Sequence, residues 1–258
     1  MPRLVFVTGA SSGIGQALAW RYYLAGYSLA LVSRRTAEVK SWVMARQISA
    51  DKCQIYSADV SVPDSIVAAG QACIEQQGVP DVVIANAGIS QGVNTALRED
   101  LAVMTRILAT NTTGVAATFQ PFIAAMIGRG TGVLVGIGSV AGIRGLPGHG
   151  AYCASKAAGI SFCESLRGEL RTSGIQVVTL CPGYIDTPLT KNNRYMMPFL
   201  TQPDDFANKA WEAIEAGVSY RVIPWQMGLL AKLLRLMPNV LFDRVIAGRS
   251  RKPRATET

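Results

Sequence analysis

Leu4-Val5-Phe6-Val7-Thr8-Gly9-Ala10-Ser11-Ser12-Gly13-Ile14-Gly15 runs from a short apolar stretch through a glycine-rich turn into the start of a helical pattern. Four consecutive apolar residues suit a strand covered on both faces. Glycines let the backbone turn sharply there and come close to a ligand. The free N–H groups and the positive end of the helix that follows favour a diphosphate. The spacing is GxxxGxG, a relative of the dinucleotide fingerprint GxGxxG. It is not a nucleotide-triphosphate loop, because Gln16 stands where that loop needs lysine.

Outward from this turn the same pattern repeats. Short runs rich in Val, Ile and Leu predict strands over 4–7, 29–32, 54–57, 82–85, 133–137 and 176–180. Helical stretches are predicted over 14–25, 37–49, 63–76, 97–127 and 152–171. Strands alternating with helices imply parallel pairing through right-handed crossovers. The fold class expected is α/β, a single doubly wound parallel sheet with a C-terminal helical extension. The division expected is residues 1–225 as a binding and catalytic unit, with a substrate lid at 184–203, and 226–258 as an amphipathic extension with a basic tail.

Three further segments carry information in order along the chain: Asp59-Val60, Asn86-Ala87-Gly88, and Pro182-Gly183-Tyr184-Ile185-Asp186-Thr187. With Thr8-Gly9-Ala10-Ser11-Ser12-Gly13-Ile14-Gly15 they resemble, over residues 3–190, the short-chain dehydrogenase/reductase family. The resemblance implies a Rossmann-like fold and a nicotinamide cofactor. It implies that Gly9, Ser11, Ser12, Gly13, Ile14 and Gly15 bind the cofactor's phosphates, and that Asp59 and Val60 border its adenine. Asn86, Ala87 and Gly88 would support its floor, and Pro182, Gly183, Ile185 and Thr187 its nicotinamide end.

The end of strand two separates the two nicotinamide cofactors. An acidic residue there would bind the ribose hydroxyls of NAD and repel a 2′-phosphate. This chain has Ser33-Arg34-Arg35 instead. Two guanidinium groups beside a small hydroxyl suit a phosphate through charge-assisted hydrogen bonds. Cations at a helix start are otherwise unfavourable without an anion. NADP(H) is therefore the expected cofactor.

Tyr152-Cys153-Ala154-Ser155-Lys156 begins a helix, and positions four apart share a face. A phenol titrates near about 10 and is a poor proton carrier at neutral pH. A neighbouring ammonium stabilises the phenolate, which predicts a lowered pKa for Tyr152. Ser139, at the end of strand five, brings a second hydroxyl. The family resemblance implies Tyr152 as general acid/base and Ser139 as the group that orients the carbonyl. It implies that Lys156, with Tyr152, also contacts the nicotinamide ribose, and that Asn111 holds a water joining Lys156 to solvent. The reaction expected is hydride transfer between a nicotinamide and a ketone/alcohol pair. The alternative is a regulatory or scaffold protein that binds NADP without catalysis, which would have no need of all four residues.

The 258 residues include five cysteines without a CxxC pair and one histidine. The cysteines read as free thiols of a cytoplasmic protein. The histidine count leaves no His-based metal cluster, and His149 reads as an ordinary loop residue in a Gly-rich stretch. Substrate choice is expected in the segments 89–95, 140–150 and 184–203. Ile143, Leu146, Tyr184, Leu189, Tyr195, Met196, Met197 and Phe199 there either cover the core or favour an apolar substrate.

Net charge is +8. From Met227 onward seven basic residues face two acidic ones, so most of the excess lies in one terminal segment. Basic residues without interleaved aromatics argue against nucleic acid. Leu229, Leu230, Leu233, Leu234 and Met237 follow helical spacing, with Lys232 and Arg235 opposite. Such a segment is too short to span a bilayer. Over 225–246 it packs on its own domain or on a neighbouring subunit, in a homodimer or homotetramer; lying in a membrane interface is the less favoured reading. The last ten residues read as disordered.

Overall fold

β1 (Leu4–Thr8) is wholly buried, and the sheet grows from both of its edges. The computed structural model describes residues 3–191, 193, 195–248 and 251–254. β1 pairs in parallel with β2 (Ser28–Val32) on one side and β4 (Val82–Ala85) on the other. β3 (Cys53–Tyr56) closes the first side. β5 (Gly132–Ile137), β6 (Ile175–Pro182) and β7 (Tyr220–Ile223) extend the second. The order β3-β2-β1-β4-β5-β6-β7 is that of a doubly wound sheet, reversing direction between β1 and β4.

Alternate residues along each strand enter opposite cores. Val5, Val7, Leu29, Leu31, Ile84 and Leu180 face one core, under α1 (Gly13–Leu24), α2 (Thr36–Ala45) and α7 (Pro203–Glu215). Leu4, Phe6, Val32, Val83 and Leu134 face the other, under α3 (Pro63–Gln77), α5 (Gly114–Arg129) and α6 (Gly150–Glu169). Phe6 meets Phe122 edge to face at 4.8 Å between ring centroids. All five cysteines are free, and burial pushes the Cys53 and Cys163 thiols up to about 11.

The six strands expected are present, and β7 is a seventh. Its outer residues Tyr220 and Arg221 are exposed, so the apolar run that marks a buried strand is missing. The helix expected over 97–127 is two helices, α4 (Asp100–Leu108) and α5, joined by a π-turn at Ala109–Thr113 that contains Asn111. Helix-forming, largely apolar sequence continues on both sides of the π-turn, so a single sequence shows one stretch.

The terminal segment forms α8 (Trp225–Leu236) and α9 (Asn239–Ile246). Met227 and Ala231 are buried against the domain. A Cβ on Gly183 would lie 2.7 Å from Met227 Cγ, so only glycine lets α8 approach the β6 end this closely. No helix among the described residues is long and apolar enough to cross a membrane. Residues 251–254, expected to be disordered, lie against the domain: Gly92 N donates to Pro253 O at 3.1 Å, and Arg254 pairs with Glu99 and Asp100. The other tail residues named as disordered, 249–250 and 255–258, lie outside the described residues.

Candidate active site

Two cavities lie at the C-terminal ends of the strands and share Tyr152 and Leu189; the first spans the point where strand order reverses. The first, of about 460 Å³, follows the β1–α1 turn from Arg34, Arg35 and Asp59 to Tyr152 and Lys156. Gly9 and Gly13 have φ of +69° and +56°, the left-handed region that glycine adopts without strain. A Cβ on Gly15 would meet Gly9 O at 2.2 Å, so helix and strand end touch through backbone. The Ser12 side chain makes no capping bond and the first turn of α1 has no acid, which leaves its amides available to an anion.

Thr8 joins the two strand ends that frame this turn. Its hydroxyl accepts from Asn86 N at 3.1 Å and Ala87 N at 3.2 Å, while Asn86 Nδ2 donates to Thr8 O at 2.9 Å. Ser33 is buried, and its hydroxyl accepts from Arg35 N at 3.0 Å. Arg35 Nη2 donates to Ser11 Oγ at 2.9 Å, and Arg34 Nη1 lies 3.2 Å from Asp59 Oδ2. Burial alone would raise the Asp59 carboxyl. The Ser61 hydroxyl and amide, with Arg34, outweigh it and hold the carboxyl below the ordinary carboxylate range. Open helix amides at the glycine turn and an elongated cleft running on to Tyr152 fit a nicotinamide dinucleotide.

Most candidate cofactor residues border this cavity, including Ser11, Ser12, Ile14, Val60, Ala87, Gly88, Pro182 and Thr187. Gly15, Gly183 and Ile185 do not. Gly15 packs on Gly9, Gly183 lies under α8 beside the second cavity, and Ile185 is a core residue at 2% exposure.

Tyr152 and Lys156 rise from the first turns of α6, and Lys156 Nζ lies 5.9 Å from the Tyr152 ring centroid. Lys156 is buried and donates to Ile137 O at 2.7 Å; burial pushes its ammonium down to about 8. The Ser139 hydroxyl accepts from Ala141 N at 3.1 Å and lies beside Tyr152 in the wall of the second cavity. Burial pushes the phenol up to about 12, with Ser139 opposing. This reverses the expected lowering by Lys156: the ammonium is turned to a carbonyl, and desolvation of the phenolate dominates.

Asn111 is buried in the π-turn. Its Oδ1 accepts from Ile89 N at 2.9 Å, and its Nδ2 donates to Ile89 O at 2.9 Å and Ser155 Oγ at 3.0 Å. Both amide N–H groups are thus taken by protein. The side chain clamps the loop after β4 to α6.

The second cavity, of about 660 Å³, shares Tyr152 with the first and has Ser139 in its wall. The three segments expected to choose substrate all contribute, through Ser90, through Val140 to His149, and through Tyr184 to Pro198. Leu146, Tyr184, Leu189 and Tyr195 line it, Met196 borders its open side while largely exposed, and Phe199 is exposed as well. His149 is no ordinary loop residue: it is buried in this wall, with Nε2 at 3.2 Å from the Tyr195 hydroxyl. A fourth wall comes from Met227, Leu230, Leu234 and Lys252 of the C-terminal segment. Helical spacing marked that segment as amphipathic, and only tertiary packing shows what its buried face covers.

A nucleotide-type turn at the strand-order reversal, beside a phenol, a hydroxyl and an ammonium, defines the class of nicotinamide-dependent oxidoreductases. The sequence model of the short chain dehydrogenase family matches residues 3–198, and the chain belongs to that family. It is 36% identical over 241 residues to an uncharacterized oxidoreductase of Myxococcus xanthus, covering 93% of this chain and 95% of that one. Its fold is similar to that of a 3-ketoacyl-(acyl-carrier-protein) reductase of Brucella melitensis complexed with NADH. That likeness has a TM-score of 0.78 at 27% identity over 86% of this chain and 96% of the other. It is also similar to a short-chain dehydrogenase of Sphingobium yanoikuyae in complex with NADPH. There the TM-score is 0.77 at 25% identity over 93% and 97% of the two chains.

Proposed function

We propose that this chain is an NADP(H)-dependent carbonyl reductase/alcohol dehydrogenase acting on a largely apolar ketone or secondary alcohol, with Tyr152 as general acid/base. The observation that carries the reading is that Tyr152 borders both cavities, one suited to a dinucleotide and the other walled by Leu, Met and Tyr side chains. The nicotinamide, when bound, supplies or accepts the hydride.

In the reducing direction the Tyr152 phenol, held protonated by burial, gives its proton to the carbonyl oxygen. Ser139 donates a hydrogen bond to that same oxygen and fixes its distance from the phenol. Lys156 would hold the nicotinamide ribose, and its ammonium offsets the charge of the Tyr152 phenolate that forms when the phenol protonates the carbonyl and that, in the oxidising direction, takes the alcohol's proton. Asn111 holds Ile89 and Ser155 so that the floor of the site and α6 keep their spacing. Ser33, Arg34 and Arg35 support NADP(H) over NAD(H), since no carboxylate ends β2.

The outward stripe Leu229, Leu233 and Leu236 of α8 is exposed. Covering it with a second copy in a homodimer or homotetramer is part of the same reading, checked by the mass in solution.

The test is a panel of apolar ketones and secondary alcohols offered with NADPH and with NADH, read at the nicotinamide absorbance. NADPH-linked turnover is expected, reduced about 10²–10⁴-fold by Tyr152→Phe with NADPH binding retained. No turnover with either nicotinamide, or full activity in Tyr152→Phe, overturns the proposal.

A further inference from the structure

The second cavity is apolar over most of its wall, yet two cations reach it and no aspartate or glutamate is among its described lining residues. The two cations are differently placed. Arg144 Nη1 donates to Leu234 O, to Arg235 O at 3.2 Å and to Met237 O at 2.6 Å. Its Nη2 donates to Asn239 Oδ1 at 3.0 Å, so its guanidinium is satisfied by the end of α8 and the start of α9. Among the described residues Lys252 donates one hydrogen bond, to Leu189 O at 3.1 Å, and has no carboxylate partner. Burial pushes its ammonium down to about 8, with no charged neighbour opposing the shift.

This lysine is held in the cavity wall by its neighbours. Arg254 makes two bonds to the Asp100 carboxylate, at 2.8 and 3.0 Å, and one to Glu99 at 3.2 Å. A Cβ on Gly92 would lie 2.1 Å from Lys252 O, so only glycine admits the strap at this depth. Two ion pairs and a backbone contact thus fix a half-buried ammonium beside the site, with donors to spare and no anion among the described residues. A desolvated charge without a partner is costly, and proteins pair such groups or supply the partner with a ligand.

We infer that the substrate carries an oxyanion, such as a carboxylate, at the end away from its reacting carbonyl, and that Lys252 on the C-terminal strap binds it. The inference rests on the proposed oxidoreductase reading and narrows its substrate class from apolar ketones to oxo acids with an apolar middle. Met227, Leu230 and Leu234 take the hydrocarbon, and Lys252 takes the charge.

The experiment compares straight-chain oxo acids of graded length with their methyl esters as substrates of the wild-type enzyme. At the best length the acid is expected to exceed its ester in kcat/KM by about tenfold, as one charge-assisted hydrogen bond allows. Lys252→Gln should bring that ratio near one, chiefly through the KM of the acid, and Lys252→Arg should keep most of it. Gly92→Val, which displaces the strap while leaving Lys252 intact, should lose the preference as well. Binding of decanoate against decanol, followed by intrinsic fluorescence, reads the same site without turnover and should show the same dependence on Lys252. Ester turnover with equal acid turnover at every length, unchanged in Lys252→Gln, sinks the inference and leaves the oxidoreductase reading standing. Absence of carbonyl turnover with decanoate binding intact sinks that reading instead, and decanoate binding indifferent to Lys252 overturns the anion site in either case.

Discussion

The Arg144 guanidinium lies 3.8 Å from the centroid of the Phe242 ring while capping the last carbonyls of α8. One side chain from the segment that follows Ser139 therefore holds both C-terminal helices against the active site. Cations are favourable at a helix C-terminus, and a planar fork can stack on a ring and bind several oxygens at once.

Arg144→Ala should loosen α8 and α9 and cost about 2–3 kcal/mol, from hydrogen bonds made by a charged group plus the ring contact. Faster amide exchange in α8 and a higher KM for apolar carbonyls are expected, with NADPH affinity retained. Arg144→Lys should recover less than half of the loss, because an ammonium cannot reproduce the fork. Wild-type exchange in the alanine variant would remove Arg144 from this role.

The pH profiles follow from two opposed shifts, Tyr152 up to about 12 and Lys156 down to about 8. Reduction needs the phenol protonated and the ammonium charged, so its kcat/KM should be flat below pH about 8 and fall above it. Oxidation needs the phenolate with the ammonium still charged. It should rise with pH below about 8 and then level, as gain of phenolate offsets loss of ammonium. Reduction that keeps rising between pH 8 and 10 contradicts this assignment.

Cofactor choice is open to a double substitution. Ser33→Asp with Arg34→Ala removes an attraction for a 2′-phosphate and adds a repulsion, and specificity changes usually need both. The kcat/KM ratio for NADPH over NADH should fall at least tenfold, about 1.4 kcal/mol. A smaller fall overturns the reading of Ser33-Arg34-Arg35 as the choice of NADP(H).

Asn111→Leu keeps the side-chain size but leaves Ile89 N–H, Ile89 C=O and Ser155 Oγ without the partners they have now. Unsatisfied buried groups cost about 1–3 kcal/mol each, so a loss of several degrees in Tm is expected along with lost turnover. Asn111→Asp keeps the acceptor for Ile89 N–H, loses both donors and should fall between. An Asn111→Leu melting temperature equal to wild type would show that the clamp is dispensable for stability.

Sequence by itself determined six strands of the sheet, the nucleotide turn and the side chains beside it. Those features are local or periodic: continuous apolar strands, glycines in a turn, and Tyr152 and Lys156 one helical turn apart. It missed β7, whose edge position exposes Tyr220 and Arg221 and erases the apolar run, and the π-turn at Asn111, which lies within one continuous helix-forming stretch. Only the tertiary structure decided what the C-terminal segment does. Leucines at helical spacing look alike whether they meet a membrane, a second subunit or a cavity, and a basic tail looks alike whether solvated or seated. The approach of Met227 to Gly183, the capping of α8 by Arg144, and the anchoring of Arg254 on Asp100 join residues far apart in the chain. Such contacts leave no periodic trace in a single sequence, yet they bring Lys252 to the wall of the active site.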